Sequence, residues 1–192
     1  YGNRLHKTID DTKAELLKAI DDTFNRKKGN VIVPAFALGR TQELIFMLLQ
    51  LTIEGKLKNI NVFIDSPLGS KATKITLDNL ESLDDETRKL VHEMRSGKHP
   101  IHIRFAETVE DSMALNEIHS GAIIIAGSGM CDAGRIRHHL KRLLWKADAT
   151  VLIVGYQAVG TLGRFLLEGR REVRIQGEVI KVRATVREID VY

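Results

Sequence analysis

Cysteine is almost missing from this 192-residue chain, and Cys131 stands alone. One cysteine cannot form an internal disulfide, which excludes a disulfide-stapled scaffold and fits a reducing, cytoplasmic setting. Long apolar runs are missing as well. No stretch of about 18 apolar residues occurs, so no membrane-spanning helix is expected, and no signal-peptide pattern is visible. Zinc-ligand spacing is the third absence. The seven histidines are His6, His92, His99, His102, His119, His138 and His139, and none stands in an H-x-H-x-D-H or H-E-x-x-H arrangement. His99 and His102 flank Pro100 with no acidic neighbour before Glu107. A hydrolytic zinc site needs several such ligands close together, so no catalytic zinc bound wholly within this chain is expected. Nucleotide fingerprints are absent too. G-x-x-x-x-G-K-[ST] does not occur, and Gly127 and Gly129 are followed by Gly134, not by the spacing of G-x-G-x-x-G.

What is present describes a folded α/β chain. Hydrophobic residues make up 43%, enough for one sizeable core, and the length favours a single domain over 1–192. Charged residues make up 28% with both signs mixed, which argues against disorder. The net charge of +4 is unevenly spread. Between Arg135 and Arg187 there are twelve Lys/Arg against four Asp/Glu, and the remainder is acidic by four. That asymmetry favours an anionic partner for the C-terminal part, with a solvated basic face as the alternative. The chain begins at Tyr1, not Met, and reads as a segment excised from a larger protein.

Short apolar runs alternate with amphipathic stretches. Thr8 and Asp11 resemble a capping box, after which Ile9, Leu16, Leu17, Ile20 and Phe24 share a helical face, and Gly29 closes the helix. Strands are predicted at 31–35, 61–65, 102–105, 121–126 and 150–154. Helices are predicted at 41–54, after Gly69, from Asp84 to Met94, at 111–118, around Ile136 to Leu144, and at 162–167. The tail, 173–175 and 179–186 around Gln176-Gly177-Glu178, reads as a hairpin or a pair of edge strands. The alternation implies a mainly parallel, Rossmann-like sheet with helices on both faces. Residues 96–100 are the best candidate for an exposed loop.

In such sheets, ligands bind beyond the carboxyl ends of the strands. Four loops qualify, at 36–41, 65–69, 127–135 and 156–161. In the third, glycines would let backbone N–H groups approach an anion, the following helix would offer its positive end, and Arg135 could add a bidentate phosphate contact. Arg40 could reach the same track or simply pair with Glu43. Asp65 could be a catalytic acid or metal ligand, although capping the next turn is the preferred reading. His138 and His139 point about 100° apart on a helix and cannot both face one ligand. Phe36 and Tyr156 could stack on bases or pack in the core.

Four signatures then become recognisable in order. They are Pro34-Ala35-Phe36-Ala37-Leu38-Gly39-Arg40-Thr41-Gln42-Glu43-Leu44, Asp65-Ser66-Pro67-Leu68, Gly127-Ser128-Gly129-Met130 with Gly134-Arg135 and His138-His139, and Gly155-Tyr156-Gln157 with Gly160-Thr161-Leu162-Gly163-Arg164. The opening Tyr1-Gly2-Asn3-Arg4-Leu5-His6 also matches. Together they resemble the β-CASP branch of metallo-β-lactamase-fold nucleases, and most closely the RNA-acting members related to the cleavage and polyadenylation specificity endonuclease and its prokaryotic homologues.

The resemblance implies a two-domain, metal-dependent ribonuclease. Its metallo-β-lactamase domain would hold two zinc ions, and the inserted β-CASP domain would close over single-stranded RNA as a lid. The family's metal ligands fall outside this segment, so the segment alone should be inactive. By the same mapping Ser128, Gly129, Met130 and Arg135 would contact RNA phosphate or sugar. Arg40 and Arg164 would support that track, and His138 would assist. A homodimer is compatible with this type. The competing readings are a free-standing Rossmann-like nucleotide binder and an α/β protein-interaction domain.

Overall fold

A computed structural model describes residues 8–99 and 101–189. The match at residues 1–6 lies outside them. Helices α1 (Ile9–Asp21), α2 (Arg40–Ile53), α3 (Pro67–Asp78), α4 (Asp85–Arg95), α5 (Val109–Ala114), α6 (Ile136–Leu143) and α7 (Leu162–Leu167) alternate with strands β1 (Val31–Pro34), β2 (Ile60–Asp65), β3 (Ile101–Phe105), β4 (Ala122–Ala126) and β5 (Thr150–Ile153). Three short strands, β6 (Glu172–Ile175), β7 (Glu178–Lys181) and β8 (Thr185–Glu188), follow.

The main sheet runs β3-β2-β4-β1-β5-β8, and every pairing in it is parallel. This is the α/β architecture expected from the alternation. The β-branched runs of β1, β4 and β5 are buried at every position because layers cover both faces of the sheet. On one face Leu16, Ile20, Leu44 and Leu48 pack with Val31, Val33, Ile123 and Ile125. On the other, Ile136, Leu140 and Leu166 pack with Ile32, Val151 and Ile153, and Val173 and Ile175 of the hairpin close that layer.

Several boundaries differ from the sequence expectation for local reasons. The Thr8–Asp11 capping box is present, but Ile9 is 63% exposed and lies off the buried face. Gly29 does not close the first helix. A π-helical segment (Asp22–Lys27) continues α1, and Lys28 takes the left-handed cap at φ 59. Gly29 is needed for a different reason, since a Cβ there would run into the Asp148 carbonyl. Helix α3 starts before Gly69, not after it, because Ser66 accepts a hydrogen bond from Gly69 N at 3.1 Å and Pro67 occupies the first turn. The helix expected over 111–118 begins at Val109 and tightens at Leu115–Glu117 into a 3-10 turn.

The tail is both things the sequence allowed. β6 and β7 form a separate antiparallel hairpin, while β8 joins the main sheet beside β5. The run at 179–186 divides because Val182 N donates to Arg171 O, and Arg183 N and Ala184 N donate to Leu144 O.

Candidate functional site

Strands β2, β4 and β1 are neighbours, so the loops leaving their carboxyl ends must meet. They line one cleft of about 690 Å3, formed by residues 35–38, 65–68, 127–128 and 133–135. The first loop is held by its own signature. Thr41 Oγ1 donates to Phe36 O at 2.7 Å, Gln42 Nε2 to Ala37 O at 3.1 Å, and Gln42 Oε1 accepts from Gly39 N at 2.8 Å. These bonds present Phe36 and Leu38 outward, and Leu68 is exposed in the second loop. Gly129 lies directly under Phe36. A Cβ there would come within 2.7 Å of the ring.

The third loop folds on itself. Ser128 N donates to Ala133 O at 2.9 Å, Ser128 Oγ accepts from Ala133 N at 3.2 Å, and Cys131 N donates to Ser128 O at 3.1 Å. Burial of Cys131, with Asp132 beside it, pushes its thiol up to about 12, so it carries no thiolate chemistry near neutral pH. The expected anion site at the start of α6 is not open. Ile136 N donates to Gly127 O at 2.9 Å, Arg137 N to Gly134 O at 3.3 Å and His138 N to Arg135 O at 3.0 Å. The positive end of the helix is thus closed by the loop's own carbonyls.

The fourth loop braces the third. Buried Gln157 donates through Nε2 to Gly129 O at 2.8 Å, Gly163 N donates to Met130 O at 3.1 Å, and Leu162 N donates to Asp132 Oδ1 at 2.9 Å. Gly163 permits this contact, because a Cβ would collide with Gln157 Oε1. Tyr156 remains 54% exposed at this margin, so it is not core packing.

Under the cleft lies a buried ionic network. Asp65 has no exposed surface. Its Oδ2 accepts from Ser112 Oγ at 2.5 Å and bonds His139 Nε2 at 2.6 Å, and its Oδ1 accepts from Arg135 at 2.7 Å. Burial pushes the Asp65 carboxyl up, but the bonds from His139, Ser112 and Arg135 outweigh it and hold the group below the usual aspartate range. Arg135 also donates to Ala106 O at 2.9 Å and Glu107 O at 3.1 Å. The turn after Asp65 is capped through Ser66 with Pro67 in its first turn, as the sequence suggested, while the Asp65 carboxylate itself is committed to the network and takes no part in the cap. The guanidinium read from sequence as a phosphate contact has three internal partners and ties the ends of β2 and β3 to α6.

The other expected site residues stand at the margins. His139 is buried in the network, and His138 is exposed. Arg40 bonds Glu43 at 2.7 Å, and Arg164 bonds Glu168 at 2.8 Å. Both Arg side chains are about one-third to two-fifths exposed. Ser128 lines the cleft, while Gly129 and Met130 form the crest that the fourth loop supports. Sequence reasoning missed Gln157 as the brace and Ser112 as a partner of Asp65. A polar residue inside the fourth signature was the available sign of the first, and the second left none.

The Beta-Casp domain model matches residues 41–166. The chain belongs to the Beta-Casp family. This Beta-Casp chain is 31% identical over 186 residues to "Ribonuclease TTHA0252" of Thermus thermophilus, covering 97% of this chain and 42% of that protein. It is 36% identical over 165 residues to "Transcription termination factor FttA" of a Lokiarchaeum, covering 84% and 25%. It is 30% identical over 194 residues to an "RNase J-like protein" of Methanocaldococcus jannaschii, covering 95% and 43%. The chain thus spans less than half the length of these relatives. Among the described residues of the Beta-Casp chain, no group of three or more His, Cys, Asp or Glu is placed to hold a metal ion. Among the same residues, no helix is long and apolar enough to cross a membrane.

Proposed function

We propose that the Beta-Casp chain holds single-stranded RNA for a hydrolytic, zinc-dependent ribonuclease. In this reading its carboxyl rim closes as a lid over a metallo-β-lactamase domain of the same protein, which binds two zinc ions and carries the hydrolytic centre. The observation behind it is the convergence of three family signatures on one cleft with exposed apolar and aromatic walls over an ionic floor. Phe36 and Tyr156 present rings on which bases can stack. Arg40 and Arg164 sit in part-exposed i,i+3 and i,i+4 pairs of the kind that contribute little, so a phosphate can compete for either guanidinium. Ser128, Gly129 and Met130 would meet RNA phosphate or sugar on the crest, Arg135 acts by holding the start of α6 to the ends of β2 and β3, and His138 stands beside it on α6. The residues of this chain orient RNA and exclude water. They supply no hydrolytic group, and the chain alone should leave RNA uncut with added Zn2+.

A nucleotide-binding reading is weaker, because the glycine spacing is absent and the α6 N–H groups are occupied. The test is fluorescence anisotropy with a labelled six-nucleotide oligouridylate. Phe36→Ala should weaken binding about 5- to 30-fold, the loss of one stacked base. Unchanged affinity would remove the cleft from RNA recognition.

A further inference from the structure

The amino edge of the sheet, opposite the cleft, has a chemistry of its own. Strands β1, β5 and β8 are neighbours there. Each is reached through a basic lead-in, Arg26-Lys27-Lys28 before β1, Trp145-Lys146 before β5, and Lys181-Val182-Arg183 before β8. Residues 22–30, 144–149 and 181–184 contain six Lys/Arg and two Asp. The fold ties the three segments together. Thr150 N donates to Asn30 O at 3.0 Å, Thr185 N to Ala149 O at 3.0 Å and Arg183 N to Leu144 O at 2.7 Å, while Gly29 abuts the Asp148 carbonyl.

Arg26, Lys28 and Arg183 are exposed on this surface. Trp145, the single tryptophan of the chain, lies in the lead-in to β5 and is 51% exposed, with Lys146 Nζ 5.8 Å from its ring centroid. Of the two carboxylates, Asp22 already pairs with Arg187 and lies 3.6 Å from Arg26. Lys27 bonds the hydroxyls of Thr150 and Thr185 and is held below the ordinary lysine range, first by burial and then by Arg187, with Arg26 adding to the effect. Asp22 and Asp148 act on Lys27 in the opposite direction, so both signs of charge stand near it.

An exposed indole among cations offers what a single strand of nucleic acid presents in alternation, a base face and a phosphate. We propose that the amino edge is a second contact surface for single-stranded RNA, reached by the part of a long strand that extends beyond the cleft. An acidic protein segment would satisfy the cations but would leave the indole without a matching face. The inference rests on the RNA reading of the cleft. The two surfaces lie at opposite ends of four-residue strands, about 13 Å of sheet plus the loops at each end. A short oligonucleotide whose bases lie along the cleft has no length left for the amino edge, which a longer strand can reach.

The experiment compares labelled six- and thirty-nucleotide oligouridylates on the purified protein and on a Lys146→Glu/Arg183→Glu variant with an unchanged unfolding midpoint. The expected result is a loss of about tenfold for the long strand only, with its logarithmic salt dependence flatter by about 1.4, two phosphates at about 0.7 each. The emission difference between the protein and Trp145→Phe should be quenched by the long strand and not by saturating short strand. Equal long-strand affinity in protein and variant overturns the proposal. So does a variant that loses only binding to polyglutamate, which would assign the surface to an acidic protein. Long-strand binding sensitive to the variant, with no short-strand binding, would sustain this surface and sink the cleft reading instead.

Discussion

Asp65 is a carboxylate with no exposed surface, and its three side-chain partners arrive from two other elements. A buried charge persists only when paired and hydrogen-bonded, and removing it leaves its partners uncompensated. Its pKa is depressed in the folded state, so the stability it contributes is present above the unfolded value of about 3.9 and is lost as pH falls through the lower folded value. Asp65→Asn should therefore cost about 2–4 kcal/mol at pH 7. Its deficit against the parent protein should shrink in steps from pH 5 to pH 3, as read by urea midpoints. A constant deficit across that range would separate Asp65 from the ionised network described. Arg135 belongs to the same argument. Its glycine-rich context suggested phosphate, and the nearness of Asp65 was invisible because 70 residues separate them. Only the adjacency of β2 and β4 brings the two together.

At the scale of elements, strands and most helices were legible because they carry a continuous apolar run, an alternation such as Ile101-His102-Ile103-Arg104-Phe105, or a 3.6-residue period. The runs at Val31, Ile123 and Val151 identify the central strands without ambiguity, since parallel strands buried on both faces admit little else. Legibility stopped where a backbone contact decides the boundary. The 179–186 run looks continuous, and the Leu144 carbonyl breaks it. The positive end of α6 looked available, and the Gly127 carbonyl occupies it. The coupling of the third and fourth loops was equally hidden, although it rests on one side chain. Gln157→Ala removes the bonds to Gly129 O and Gly155 O and leaves both carbonyls without that donor. It should destabilise the protein by about 1–3 kcal/mol. It should also increase hydrogen exchange in residues 127–134 more than in β4, which mass spectrometry of the two peptides resolves. Equal increases would mean that the brace is not local.

For the whole molecule, sheet order ranks protection. β4 and β1 are flanked by strands on both sides, while β3 and β8 form the edges. Native-state exchange should find the slowest amides in β1 and β4, near the global unfolding free energy, and faster ones in β3 and β8. The reverse ranking would contradict the topology. The same order has a consequence for how the protein is made. β1 emerges before both of its neighbours, β4 and β5, and Val31 meets its first partner at Ile123. At about 5–20 residues per second, the apolar Val31-Ile32-Val33 run waits roughly 5–20 s after leaving the ribosome before any strand can cover it. The centre of the finished sheet is thus the segment that a chaperone would have longest to meet during synthesis.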